Sequence, residues 1–237
     1  MGLVDGADRD DLHSSGLGRL VPQASAKPPG AGRGSDTALI SPCDADTQGH
    51  MSTLLVIAGP PGAGKSTVSS IASSRLSPSV LIRGDAFFRF LDQGAQKPWL
   101  PESKDQNQTV IRASGAAAGQ FASGGYESVF DGVMGPWFLP TFFEATGLSE
   151  LHYAVLLPSV ERCVQNVTSR EGNRDGEPGT RYMHDQFEQA RIDTRHLIAE
   201  PTGTPEEVAS NLLSRYRQGA LAYSARDVTQ SVRGQNT

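Results

Sequence analysis

From residue 54 onward, short apolar runs alternate with stretches in which apolar residues recur every three or four positions. The runs Leu54–Ala58, Val80–Ile82, Ser128–Asp131, Leu151–Leu157 and His196–Ala199 have the length and composition of buried strands. Between them, Val68, Ile71, Ala72 and Leu76 share one face of a helix over 66–76, and an Ala-rich helix is expected over 106–122. Val160, Val164 and Val167 line a helix that Ser159 caps, and another helix is expected over 182–193. Thr204-Pro205-Glu206-Glu207 is a capping box with proline at the first helical position, so the last helix should run over 205–217 and stop at Gly219. Strands alternating with helices give an α/β fold: a three-layer sandwich whose five-stranded, mostly parallel sheet is covered on both faces and joined by right-handed crossovers.

The pattern stops at both ends. Residues 1–50 are rich in Gly, Asp, Ser, Pro and Ala without apolar periodicity, and are expected to be disordered. Residues 51–220 then form one domain and 221–237 a loose polar tail, which suits a chain of 237 residues with 37% hydrophobic content. Met51 stands directly before the first strand, as a second translation start would.

At the tip of that strand lies Gly59-Pro60-Pro61-Gly62-Ala63-Gly64-Lys65-Ser66-Thr67, which satisfies G-x-x-x-x-G-K-[ST] at every fixed position. Glycine at 59, 62 and 64 opens backbone turns closed to other residues, so that successive N–H groups converge on phosphate oxygens. Lys65 is placed to reach the β- and γ-phosphates and the Ser66 hydroxyl to ligate Mg²⁺, while the following helix turns its positive end toward the anion. The motif implies a nucleotide, and since no Asn-Lys-x-Asp guanine-reading motif occurs, ATP is favoured.

Acids stand at the ends of two further strands, Asp85 after Val80–Ile82 and Asp131 closing Ser128–Asp131. In an open parallel sheet that edge is where ligands bind. Asp85 either orients or deprotonates an acceptor hydroxyl or caps a helix; Asp131 holds a magnesium-bound water, touches substrate, or likewise serves only as a cap. Arg170, Arg174 and Arg181 flank a Gly-rich polar stretch and each has the fork geometry for phosphate. Arg83 and Arg112 either meet an anionic substrate or pair with neighbouring acids. The aromatic segment Phe87–Trp99 is a substrate cap or packing against the sheet.

The net charge of −5, with no Lys/Arg stripe, argues against nucleic acid as the main ligand and for a small molecule. The two cysteines, Cys43 and Cys163, have no metal-site or disulfide spacing, as a reducing cytoplasm would have it. No apolar run has membrane-spanning length.

The stretch from Met51 to about Gly219 resembles the small P-loop kinases, a group including shikimate kinase, gluconokinase, chloramphenicol phosphotransferase and zeta-toxin-like enzymes. The likeness rests on the ordered set of phosphate loop, Asp85, Asp131-Gly132, the Leu-Leu-Pro-Ser helix start, the Arg-rich stretch and the Thr-Pro-Glu-Glu helix start. It is nearest to bacterial ATP-binding members with an Asp-Gly-Val-x-Gly-Pro-Trp segment, here Asp131–Trp137. The resemblance implies a P-loop NTPase sandwich with an Arg-bearing lid, and an ATP- and Mg²⁺-dependent transfer of the γ-phosphate to a hydroxyl of a metabolite or antibiotic.

Carried over by position, Gly59, Pro60, Pro61, Gly62, Ala63, Gly64, Lys65, Ser66 and Thr67 hold ATP, with Ser66 and Asp131 at the metal. Asp85 takes the acceptor's proton, Arg170 and Arg174 close over the phosphates, and the loop Pro201–Thr204, through Thr202 and Gly203, lies beside adenine. Asn166 departs from the pattern, standing where related chains carry another arginine. Two other readings keep the same loop: a nucleotide-dependent switch acting through a partner, and a zeta-toxin-like kinase of a nucleotide sugar. A chain that begins at Met51 is expected to match the full chain in thermal stability and ADP release; a large loss of either on deletion of the first 50 residues would count against an upstream extension.

Overall fold

The computed structural model describes residues 54–171 and 176–228. The proposed disorder of residues 1–50 and the proposed start at Met51 fall outside them. Five strands, β1 (Leu54–Ala58), β2 (Ser79–Arg83), β3 (Glu127–Asp131), β4 (Glu150–Leu157) and β5 (Leu197–Ala199), pair in parallel in the order β2-β3-β1-β4-β5. Every residue of β1 is fully buried, as the central strand of a sheet covered on both faces must be.

Alternation along the strands divides the core in two. Leu54, Val56, Phe130, Tyr153 and Val155 face one side, with α3 (Lys104–Ser123), α4 (Leu139–Thr146) and Phe187 of α6 (Glu177–Gln189). Leu55, Ile57, Val129, Ala154 and Leu156 face the other, with α1 (Lys65–Ser74), Cys163 of α5 (Val160–Glu171) and α7 (Pro205–Arg217). Helices α3 and α4 meet closely because Gly119 has no Cβ: one there would be driven into the Thr146 carbonyl. The capping box of α7 forms as expected, with Thr204 Oγ1 accepting from the Glu207 amide and the Glu207 carboxylate from the Thr204 amide.

Four local expectations change. Asp85 is not in a strand: β2 stops at Arg83 and the chain turns at once into α2 (Gly84–Phe88), placing Asp85 in its first turn. The helix expected over 182–193 instead begins at Glu177, with a proline in its first turn, so Arg181 is helical and pairs with Glu177 at 3.0 Å rather than standing in a loop. Proline reads as a breaker in sequence, but the first helical turn needs no amide from it. His196 lies just before β5 instead of inside it.

The fourth change is at the C-terminus. Residues 221–237 were expected to be loose, yet Leu221 is fully buried and Ala222–Ser224 forms a sixth strand, β6, antiparallel to the first half of β4. Three residues give too short an alternation to stand out in a polar stretch. Leu221→Ala is expected to destabilise the protein by about 3 kcal/mol in urea unfolding, as loss of a buried leucine does; a change within about 0.5 kcal/mol, the usual effect of a surface substitution, would restore the loose tail.

Candidate active site

The phosphate loop bridges β1 and α1. Gly62 and Gly64 take left-handed φ values of 78° and 87°, and Gly64 is the residue preceding α1. A Cβ on Gly62 would strike the Cys163 carbonyl of α5, so the loop lies directly on that helix. Burial pushes the Cys163 thiol up to about 11, which leaves it a packing residue at this contact.

Asn166, one turn further along α5, donates from Nδ2 to the Gly62 carbonyl at 2.8 Å. Where the resemblance implies an arginine, this chain has a tether for the loop. The N-terminus of α1 has neither a side-chain cap nor an acid in its first turn. Its positive dipole end thus meets no carboxylate of its own helix. Lys65 is buried to 8% exposure, and its ammonium donates to the Pro60 carbonyl at 2.8 Å, which holds the side chain inside the loop.

Next to the loop is a cavity of about 120 Å³ walled by Ser66, Arg83, Asp85, Ala86, Arg89 and Asp131. The ends of β2 and β3 are neighbours in register, Arg83 opposite Asp131, which brings both acids to the mouth of the phosphate loop. Asp131 is 5% exposed and pairs with the Arg83 guanidinium at 3.5 Å; Arg83 also donates to Ser70 Oγ at 3.1 Å. Ser70 in turn donates to the Ser66 carbonyl at 2.7 Å, so the Arg83–Asp131 pair is linked to α1.

Arg83 therefore pairs with a neighbouring acid, one of the two alternatives its sequence position allowed. Arg89 was not singled out, although it stands four residues after Asp85, a spacing that puts both on one side of a helical turn.

Thr202, Gly203 and Arg112 do not line this cavity. Thr202 and Gly203 are exposed between β5 and α7, and the loop is held to α5 by Arg162 donating to the Pro201 carbonyl at 3.2 Å. Arg112 is exposed on α3. Arg170 is in the last turn of α5, and Arg174 lies outside the described residues. In the aromatic segment, Phe90 and Trp99 are largely exposed, while Phe87 packs against the core and meets the Phe90 ring edge-on.

No protein-family model matches the chain, and no curated protein matches it in sequence. Solved structures do. The tunicamycin resistance protein of Deinococcus radiodurans aligns at 16% identity and TM-score 0.53, over 69% of this chain and 95% of its own. The chain has the fold of the small P-loop kinases. A gluconokinase from Sinorhizobium meliloti aligns at 17% identity and TM-score 0.51, over 72% of this chain and 94% of its own. The Mycobacterium tuberculosis APS kinase, solved with AMPPNP and APS, aligns at 13% and TM-score 0.52, over 69% and 96%. Among the described residues no helix is long and apolar enough to cross a membrane.

Asn166→Ala is expected to cost about 1 kcal/mol in urea unfolding, the net worth of one hydrogen bond, and to speed hydrogen exchange of the loop amides at Ala63–Lys65. Unchanged exchange there would mean that packing on Cys163 alone holds the loop.

Proposed function

We propose that the protein is an ATP- and Mg²⁺-dependent phosphotransferase that moves the γ-phosphate onto a hydroxyl of a small molecule in the cytoplasm. The observation that carries this reading is the single cavity into which Ser66, Asp85 and Asp131 converge from the ends of three neighbouring strands. A loop that only held a nucleotide would have no need of a second acid on its open side. The residues present fit the nucleotide: an uncapped helix start, a glycine-built bend and a buried lysine already hydrogen-bonded within the loop.

Ser66 and, through water, Asp131 would hold Mg²⁺, which supplies charge neutralisation at the β- and γ-oxygens. Lys65 turns from the Pro60 carbonyl to the phosphates and stays with the transferring charge. Asp85 accepts the proton of the acceptor hydroxyl as it attacks, and Arg89, one turn on, faces the same space as a partner for an anionic group on the acceptor. Arg170, in the last turn of α5, and Arg174, four residues on in sequence, close over the phosphates. Thr202 and Gly203 border the adenine. Phosphoryl transfer asks the protein mainly for alignment and charge, and these groups supply both.

Lys65→Ala is expected to lower ATP turnover by about 100-fold or more. Asp85→Asn should leave ATP affinity intact while lowering transfer to a hydroxylated acceptor by about 100-fold or more. A screen of hydroxylated metabolites and antibiotics, read by ADP release and product mass, supplies the acceptor. Calorimetry that finds no magnesium-assisted ATP uptake overturns the reading, and full transfer by the Asp85→Asn protein removes that residue from the chemistry.

A further inference from the structure

The Arg83 guanidinium does more than accompany Asp131. Arg83 stands two residues after Leu81 and Asp131 two residues after Val129, and both apolar residues belong to the half of the core that α1 covers. Side chains two apart on a strand share a face, so Arg83 and Asp131 leave their strands toward α1. On that helix Ser66 and Ser70 are four residues apart and likewise share a face. Four polar residues from three elements thus meet at one level.

The bonds between them have fixed directions. Ser70 has one proton to give, and it goes to the Ser66 carbonyl at 2.7 Å. Its oxygen keeps lone pairs, and Arg83 Nη2 donates to one of them at 3.1 Å. The other terminal nitrogen, Nη1, lies 3.5 Å from Asp131 Oδ2. Among the described residues the Arg83 head has no polar partner beyond these two, and the Asp131 carboxylate none beyond Arg83. A guanidinium is a rigid planar fork, so one prong held at Ser70 presents the other prong at a set place. The Arg83 side chain is 51% exposed. Without Ser70 its head would keep a single contact and turn freely into solvent.

The two ends of this bridge, Ser66 and Asp131, are the residues given to magnesium in the phosphotransferase reading, on which this inference rests. We propose that Ser70 and Arg83 are positioning residues for that pair: they fix Asp131 relative to Ser66 and so set how tightly the protein takes up a nucleotide together with its magnesium. Neither needs to touch the nucleotide or the ion. Groups that orient metal-holding side chains typically change metal affinity by about 10- to 100-fold when removed. The nucleotide without metal depends on other parts, the loop and Lys65, which are held by Pro60, Cys163 and Asn166 with no bond to Ser70 or Arg83. A pair that only stabilised the fold would affect both forms of the nucleotide alike.

Ser70→Ala removes the hydroxyl, and Arg83→Lys replaces the fork by a single ammonium. Neither changes the net charge of the site. The full chain is titrated by calorimetry with the non-hydrolysable ATP analogue AMPPNP, once with magnesium and once with EDTA. Each variant is expected to bind the magnesium complex about tenfold more weakly than the wild type and the metal-free analogue with unchanged affinity. Since both substitutions break the same bridge, the double variant should lose no more than the weaker single variant, whereas independent roles would multiply to about 100-fold. If one single variant fails to fold, the other decides by the same two affinities. Unchanged affinity of the folded variants for the magnesium complex, an equal loss with and without magnesium, or losses that multiply overturn the proposal and leave the phosphotransferase reading standing. A wild-type protein that binds the analogue no better with magnesium than with EDTA overturns both.

Discussion

The complete burial of β1 is the constraint on which the rest of the molecule depends. Its five residues pair with β3 on one side and β4 on the other and touch both halves of the core, so the strand has no freedom to slide or tilt. A one-residue slip would exchange the Leu54/Val56 face for the Leu55/Ile57 face and misplace every contact at once. The loop that leaves its C-terminal end is thereby fixed at its origin, and Cys163 and Asn166 of α5 fix it again from the side. A backbone cradle for an anion needs its amides held before the anion arrives. Two packed helices and a buried strand provide that.

The neighbouring strands inherit this order. Because β3 is in register with β1 and β2 with β3, the positions after each strand end at the same level, and Asp131 and Asp85 come out beside Ser66 without any long excursion of the chain. The Arg83–Asp131 pair adds a condition. A carboxylate so deeply buried would be costly alone; the guanidinium gives it a partner and also ties it, through Ser70, to the first turn of α1. Strand end, second strand end and helix start are thus connected by three polar links.

Much of this was legible in the sequence where a signal is periodic or fixed by spacing. The parallel strands, the phosphate loop, the Thr204–Glu207 capping box and the small residues of α3 were all readable from position alone. Signals shorter than one period were not. The strand β6 has three residues and owes its place to β4's unpaired first half, a fact of tertiary structure with no local trace. The start of α6 was hidden by Glu177-Pro178-Gly179, residues that favour a turn unless the first helical turn happens to begin there. Nor could sequence show that His196 would lie just before its strand with one ring nitrogen bonded to Tyr153 and the other bare; that depends on a strand neighbour 43 positions away. Asn166 was noticed as a departure from the resemblance, but its role required knowing that Gly62 packs on α5.

The sharing of one β4 margin between β5 and β6 has a consequence for the life of the chain in a crowded solution. Each covers only part of β4 and each has three residues, so on this side the sheet presents two brief, oppositely directed segments to its surroundings instead of one long flank. An incoming extended peptide finds no continuous ladder of amides and carbonyls on which to align. Brevity at the border is one of the ways natural sheets avoid adding strands from other molecules, and here Leu197–Ala199 and Ala222–Ser224 supply it.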